Sequence, residues 1–540
     1  MPKLYKLEKI LSEVNPVTSD GEEIAEPISS GEEEEDEEEE EDTVPPPLKR
    51  GRLEEHTGAE QKAKDGTVWR EQQLGRPLLH RPIEGYPADG QPAVPVLRGV
   101  TTRLQSFLCF ITLDMLRSIQ QWTIQHGQGA QESWFVSVHE LMAFIAIVFL
   151  RGVTKRQTLQ DSWSEKLGNP LIMKIMARHR FQDIMRHLRF DDKETRAERV
   201  ETDKFAAISN VWSSFVANCI SSYNPGRHIA IDEQLFPTKT RCCFLQNSAT
   251  KPDKFGMKFW VACDMQTKYV CNMIPCLGKD PSRATGVRVG EDAAMKLMQP
   301  FLDKGRTVIT KDFFMSLGLA EQLLQQKTTV LGEMNKVRRE LPGSAKQTLG
   351  RQQYSTQVFS TSGAALTVYA PKPKKIVCIL SSMHGVVETT DTGKKKPNTV
   401  TDYNTMKRGV DVMDQMVREY TVRTATQRWP VAVFYNMLDI AALNAHILYQ
   451  ACTGVEERRV DFLVELAQEL AHSHVGAQKA SVKTRLWQQP AAPEPGKRAK
   501  CQVKRQCNRN HATMRCADCY KYTCGRCRKE AVWKCHDCAA

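Results

Sequence analysis

The sequence has no apolar run long enough to cross a bilayer. The longest, LMAFIAIVFL from Leu141 to Leu150, is ten residues, about half of the ~20 that a membrane helix needs, and it reads as a buried helix. The opening MPKLYKLEKILSEV scatters charges where a secretory signal would be apolar. There is no internal repeat, which leaves out a solenoid. Over the first 500 residues cysteine has no pattern: nine are scattered, including the adjacent Cys242 and Cys243. They read as ordinary thiols of a reducing compartment. A soluble intracellular protein is the expectation. Residues 1–95 lack periodicity altogether and read as disordered. Within them, KRGR (Lys49 to Arg52) after three prolines fits a nuclear-import signal, so the nucleus is the expected location.

What is present is uneven. The chain has 540 residues, 41% hydrophobic and 26% charged, enough for two to four domains with substantial cores. Its formal charge of +11 includes eleven consecutive acids, EEEEDEEEEED from Glu32 to Asp42, so the remainder carries +22. A basic body with an acidic arm suggests a polyanionic partner.

From about residue 100 to 225 the period is helical, as in LQSFLCFITLDMLRSIQQW and VHELMAFIAIVFLRGV. In HRFQDIMRHLRF, Phe181, Ile184, Met185 and Leu188 form an apolar stripe decorated by Arg178, Arg180, Arg186 and Arg189, a pattern most often of an amphipathic helix. Then the period changes. HIAIDEQLF, GMKFWVACD and YVCNMIPCL read as three antiparallel strands; EDAAMKLMQPFLDKG, broken by Pro300, and SLGLAEQLLQQK read as helices that alternate with the strands RTVIT and TTVLGEM. The order βββαβαβ is that of an RNase H-like α/β fold. Between 338 and 397 the chain turns basic and β-rich, as an inserted subdomain apart from the main sheet would. TDYNTMKRGVDVMDQMVREYTVR and RWPVAVFYNMLDIAALNAHILYQACTG are helical again.

Acids recur at ends of these elements. Asp232 ends the first core strand, Asp312 follows the strand after the first core helix, and Asp411 and Asp414 share a helix face at i, i+3. Singly, each is more often an ordinary surface acid. Together, three carboxylates at one sheet edge suit phosphodiester chemistry with two divalent metals, one activating the attacking oxygen and one stabilising the leaving oxygen. Hard oxygen ligands favour Mg²⁺, with Mn²⁺ able to substitute.

These residues, with FIAIVFLRGV, RQTLQDSWS, RFQDIMRHLRFDD, IAIDEQLFPTKTRCCF, KPDKFGMKFWVACDMQTKYV, ITKDFFMSLGLAEQLL, YNTMKRGVDVMDQM and QRWPVAVFYNMLDIAALNAHILY, resemble the piggyBac transposases from about residue 95 to the end. The resemblance implies a catalytic triad of Asp232, Asp312 and Asp411, assisted by Asp414, and a DNA-handling Trp429. It implies excision from terminal inverted repeats through hairpin ends, insertion at TTAA in double-stranded DNA, and action as a homodimer. The basic cluster after the last core strand, expected to contact DNA, falls on Lys336, Arg338 and Arg339, with Asn335 where another arginine is expected. Weaker target capture follows from that departure. A different reading is a host-retained DNA- or chromatin-binding derivative without transposition.

The last forty residues hold eight cysteines: Cys501, Cys507, Cys516, Cys519, Cys524, Cys527, Cys535 and Cys538. Three C-x2-C pairs this close signal two structural Zn²⁺ sites. An interleaved cross-brace joins the first pair to the third and the second to the fourth; sequential pairing is the competing arrangement. His511, four residues beyond Cys507 (C-x3-H), is a possible ligand in place of Cys501. Forty residues cannot build a sufficient core alone, so zinc would supply folding energy.

The expected organisation is therefore a disordered region (1–95) and a helical dimerisation and DNA-binding domain in two parts (96–227 and 421–488). The RNase H-like catalytic domain is also in two parts (228–337 and 398–420), around a β-rich insertion (338–397). A linker (489–500) leads to a zinc domain (501–540).

The acidic arm generates a prediction by itself. Tethered to a basic body, it competes with phosphates at an effective concentration of order millimolar, most strongly at ~0.01 M salt where the Debye length is ~30 Å. Deleting residues 1–45 should tighten duplex binding at low salt, with the advantage shrinking as salt rises. Superimposable affinity-against-salt curves would leave the arm a solubilising tail.

Overall fold

A computed structural model of the chain describes residues 60–80, 83, 90–155, 158–247, 255–278 and 283–487, and in the tail 499–503, 507, 510–512, 514 and 521–527. The acidic arm and KRGR lie outside the described residues. The chain forms two compact units, Met1–Glu469 and Leu470–Ala540.

The first unit is organised by strand β3 (His228–Pro237), whose apolar residues are buried on both faces, as in a central strand. The other strands of its sheet are β1 (Glu60–Lys62), β2 (Val68–Gln72), β4 (Leu245–Asn247), β5 (Phe255–Asp264), β6 (Val270–Pro275), β7 (Thr307–Thr310), β8 (Thr329–Glu333), β9 (Thr356–Ser360), β10 (Ala365–Lys372) and β11 (Lys375–Ser381). β3 pairs antiparallel with β5 from Ile229↔Asp264 to Pro237↔Gly256. On its other side it pairs parallel with β7, from His228↔Thr307 to Ile231↔Thr310. β6 returns antiparallel on β5, and β8 runs parallel to β7. The core order is thus β6-β5-β3-β7-β8. Each step to a parallel neighbour needs a crossover, supplied by helices α6 (Val289–Met298) and α7 (Leu317–Gln325). Pro300 ends the first of these, the chain continuing as a 3₁₀ turn at Gln299–Phe301. Apart from the short β4, which the sequence expectation lacked, strand and helix order follow it.

The basic β-rich segment does not stand apart from the main sheet, as its composition suggested. β11 pairs with β8 through Leu331↔Ser381 and Glu333↔Ile379, and β10, β9, β2 and β1 follow outward. The physical reason is the far edge of β8, a buried strand whose backbone groups would otherwise lack partners. The disordered reading likewise fails for residues 60–80. Trp69 of β2 is fully buried and its indole N–H donates to the Glu340 carbonyl at 2.8 Å, while β2 extends the sheet beside β9. A three-residue alternation around one tryptophan gave too short a pattern to be recognised.

Around the sheet lie α1 (Arg103–Leu108), α2 (Leu113–Ala130), α3 (Val138–Thr154), α4 (Arg178–His187), α5 (Ser209–Ser222), α8 (Asn398–Met406), α9 (Gly409–Glu419) and α10 (Trp429–Thr453), and α11 (Arg459–Trp487) begins in this unit. α3 is buried from Leu141 to Gly152 and is capped by Ser137, whose hydroxyl accepts the Glu140 N–H. α10 is long and apolar enough to cross a membrane by length and composition, yet its residues are buried within the protein's own core. The α4 stripe is buried as expected, and Arg180 is engaged by Glu140 at 2.7 Å and Asp183 at 2.9 Å. The segment read as one helix after residue 401 is two, α8 and α9, separated at Lys407–Arg408.

Asp439 of α10 anchors the strap that leaves α9: the Thr421 hydroxyl and Val422 N–H donate to its two oxygens at 2.6 and 2.8 Å. Burial pushes this carboxyl up to about 7, against those two hydrogen bonds. Unfolded, it would titrate near ~3.9. The native state therefore binds the extra proton between those values, so this group's contribution to stability falls as pH rises through that window and levels off above about pH 7. Asp439→Asn should remove the dependence: its stability relative to wild type should rise by up to ~1.4 kcal/mol per pH unit between pH 5 and 7. A pH-independent difference in denaturant unfolding would place the titration elsewhere.

Candidate functional site

Side chains alternate along β3, so Asp232 and Gln234 share one face while Glu233 takes the other. Glu233 pairs with Lys258 of the neighbouring β5 at 3.0 Å. Asp232 and Gln234 face α9. That helix comes close because Gly409, its first residue, has no side chain: a Cβ there would lie 2.7 Å from Ala230 Cβ of β3 and 2.3 Å from Met265 Sδ. A methyl group would push the helix off the strand. Two residues further on is Asp411.

Asp232 and Asp411 are bridged by one ammonium. Lys311 Nζ lies 2.5 Å from Asp232 Oδ2 and 3.0 Å from Asp411 Oδ2. Burial works against this charge, but the two carboxylates outweigh it and hold the lysine pKa above its ordinary value. The next residue, Asp312, is exposed just past β7. The turn around it is fixed from two sides. Arg338 donates to its carbonyl at 2.9 Å, and Gly290 lets α6 approach so closely that a Cβ would meet the Phe313 carbonyl oxygen at 2.4 Å.

Asp312, Asp411 and Lys311 line a cleft of about 290 Å³ with Glu333, Tyr403, Lys407 and Arg408. Glu333 is the acid that sequence reasoning missed. It ends β8 as Asp232 lies within β3, and a strand-terminal acid in TTVLGEM was the available signal. Burial and the charge of Asp312 raise its pKa, opposed by Lys407 and Lys375. Burial, helped by the charges of Glu333, Asp232 and Asp312, also raises the Tyr403 phenol well above its ordinary range, so it stays protonated. Four carboxylates thus gather at one sheet edge, and that excess of negative oxygen suits hard divalent cations.

Asp414 is not in the cleft lining. It is buried, with Oδ1 accepting from Gln234 Nε2 at 3.3 Å and Oδ2 3.0 Å from Arg418; Gln234 in turn accepts from Asn436 of α10 at 3.0 Å. This network ties α9 to β3 and α10, which positions Asp411. Trp429, the first residue of α10, is half-buried. It stacks on Phe205 (centroids 5.3 Å, 30°) and meets Phe244 edge-on at 5.1 Å. Lys336 and Arg339 are exposed and Arg338 is half-buried. Asn335 shapes their turn, accepting the Val337 N–H on Oδ1 at 3.3 Å.

In the second unit, Cys501, Cys507, Cys524 and Cys527 bring their sulfurs within 4.8 Å of one another. Cys507 Sγ lies 3.4 Å from Cys524 Sγ and 3.5 Å from Cys527 Sγ, well beyond the ~2.05 Å of a disulfide. A tetrahedral ion with metal–sulfur bonds of ~2.3 Å sets sulfurs ~3.8 Å apart, which this group fits. The first cysteine pair joins the third, as an interleaved arrangement requires. His511 is exposed and sits in a two-residue strand pair with Lys500, outside the cluster. Cys516, Cys519, Cys535 and Cys538 lie outside the described residues.

The model of the family described as Transposase IS4 matches residues 103–446. The human PiggyBac transposable element-derived protein 3 is 24% identical over 418 residues, 72% of this chain and 67% of that protein. The human chimeric ERCC6-PGBD3 protein matches equally, but the chain spans only 38% of its length. Among solved structures, a piggyBac transposase synaptic complex with hairpin DNA is 28% identical, with a TM-score of 0.72, covering 84% of this chain and 100% of that one. With more than half of its length matched by a transposase family and its fold shared with that structure, the chain belongs to the piggyBac family of transposases.

Proposed function

We propose that the protein is an active DNA transposase that cuts and rejoins phosphodiester bonds at the edge of an RNase H-like sheet. The observation that carries this is the gathering of Asp312, Asp411 and Glu333 around one cleft, with Asp232 joined to Asp411 behind it by the Lys311 ammonium. The β6-β5-β3-β7-β8 order, antiparallel on one side of β3 and parallel on the other, supports the RNase H-like assignment. Asp232, Asp312 and Asp411 would hold divalent ions, Mg²⁺ by the hardness of their oxygens. Such ions supply Lewis-acid polarisation of a phosphodiester and a nucleophile competent at neutral pH. The chain's own residues do the positioning: Gly409 sets the distance of α9, Asp414 and Gln234 fix its rotation, and Arg338 holds the Asp312 turn.

Duplex DNA is the proposed partner, in line with the hairpin DNA of the solved relative. Two lysine-rich turns support it. Lys372, Lys374 and Lys375 in one, and Lys394, Lys395 and Lys396 in the other, are all exposed. The Tyr369 hydroxyl donates to the Lys394 carbonyl at 2.6 Å, holding the second loop to β10. Charge of this density suits a phosphate backbone rather than base edges. Terminal inverted repeats, a TTAA target, a homodimer and nuclear location are part of the same proposal. The 24% identity to a piggyBac-derived human protein favours the competing reading, a derivative that binds DNA without moving it. The gathered acids weigh against that reading.

Asp232→Asn, Asp312→Asn and Asp411→Asn should each lower Mg²⁺-dependent nicking of a duplex bearing the element's ends by at least ~10²-fold, with DNA binding and folding retained. Asp414→Asn should lose less activity and should also lower the melting temperature, since it sits in a buried network rather than in the cleft. If any triad variant nicks at the wild-type rate, its residue is no ligand. Wild-type protein that binds the ends and never nicks them would establish the derivative instead.

For the tail, we propose two cross-braced Zn²⁺ ions, the first on Cys501, Cys507, Cys524 and Cys527. Elemental analysis of the full-length protein should give two zincs per chain, and Cys524→Ser with Cys527→Ser should lower the count by at least one. One zinc in wild type, or an unchanged count in the variant, would rule the cross-brace out.

A further inference from the structure

The ammonium bridging Asp232 and Asp411 belongs to the residue directly before Asp312, so one short segment delivers both a carboxylate and a cation to the same site. Lys311 screens Asp232: the aspartate side chain is 9% exposed and absent from the cleft wall, while Lys311 itself is 34% exposed and lines it. A lysine that only braced the core would be enclosed. This one is about one-third exposed, lines the cleft on a long flexible stem and can leave.

We propose that Lys311 is a resident counter-cation: it holds Asp232 and Asp411 together while no divalent ion is bound, and it is displaced when one binds there. The proposal rests on the carboxylate–metal reading of the site. Its physical basis is competition for the same acceptors. Each aspartate offers a few lone-pair positions, and the Oδ2 atoms that meet Nζ are the ones facing a shared cation. Loading is then an exchange of one positive charge for two rather than entry into an open site. In its absence the two carboxylates would repel each other across a partly buried gap, where screening is weak. The displaced ammonium stays at the cleft wall beside Asp312, within reach of an anionic phosphate, to which a lysine binds as a mobile point charge.

The test uses full-length protein stripped with a chelator, with Mn²⁺ as the probe, its free concentration followed by electron paramagnetic resonance. Lys311→Met and the more polar Lys311→Gln should bind the tightest Mn²⁺ about tenfold or more tightly than wild type. Both should melt at lower temperature in chelator, with the deficit closing as Mn²⁺ is added. Lys311→Arg, which keeps the charge, should stay near wild type in both respects. Equal or weaker Mn²⁺ binding by folded Met and Gln variants would overturn the proposal and leave the metal reading standing. Wild-type protein that binds no Mn²⁺ would overturn both.

Discussion

Like charges held together are the constraint on which the rest of the site depends. Carboxylates at one sheet edge repel one another, and nothing in strand or helix formation favours placing them there. The fold resists that repulsion with close packing that the acids do not make themselves. Gly409 brings α9 against Ala230, Gly290 brings α6 against the turn after Asp312, and β8 seats Glu333 beside them. These contacts involve backbone or small groups, which cannot move away without disturbing whole elements. Positive charge from Lys311, Lys407 and Arg408 then offsets part of the remaining repulsion.

Continuity of the sheet serves the same end. β8, which carries Glu333, would be an edge strand if the core ended with it, and edges are mobile and prone to wrong pairing. β11 closes it, and the ladder runs on through β10 and β9 to β2, drawing in a hairpin anchored by Trp69. A stretch of chain more than 150 residues before β3 in sequence thus stabilises, through successive strands, the far side of the site. The lysine turns project from this same extension, which places the basic surface and the acid cleft on one continuous sheet.

Much of this was legible in the sequence. The order of the core strands along the chain, α6 and α7, and the long buried helices followed from period and length, whereas the strand read as ending at Asp232 runs on to Pro237. Asp264 shows where legibility ends. It terminates β5 as an acid after an apolar strand, just as conspicuous in sequence as Asp232. Yet its oxygens accept N–H groups from Gly226, Gln266 and Thr267 at 2.8 to 2.9 Å, and it organises a turn rather than a reaction. Glu333 is the converse, an acid left aside that lines the cleft. Periodicity reports which side of an element is buried, but the chemistry of a carboxylate depends on what crosses over from elsewhere. Likewise the β-rich segment read as separate because its composition is basic, whereas pairing depends on the neighbouring strand's unfilled edge.

The division of labour between Asp411 and Asp414 extends the same point to a single helix. At i, i+3 both share a face, and spacing alone cannot rank them. Strand β3 ranks them. Asp411 comes level with Asp232 and Lys311, at the open end of the site, while Asp414 comes level with Gln234, where Asn436 and Arg418 complete a buried polar network. The bond from Gln234 of β3 to this buried carboxylate fixes the helix against rotation, and a rotation of α9 would swing Asp411 out of reach of Asp232. Asp414 therefore acts through geometry and Asp411 through charge. Two acids one turn apart, one at the open end of the site and one in the buried network, are what a helix laid across two alternating strand positions places there.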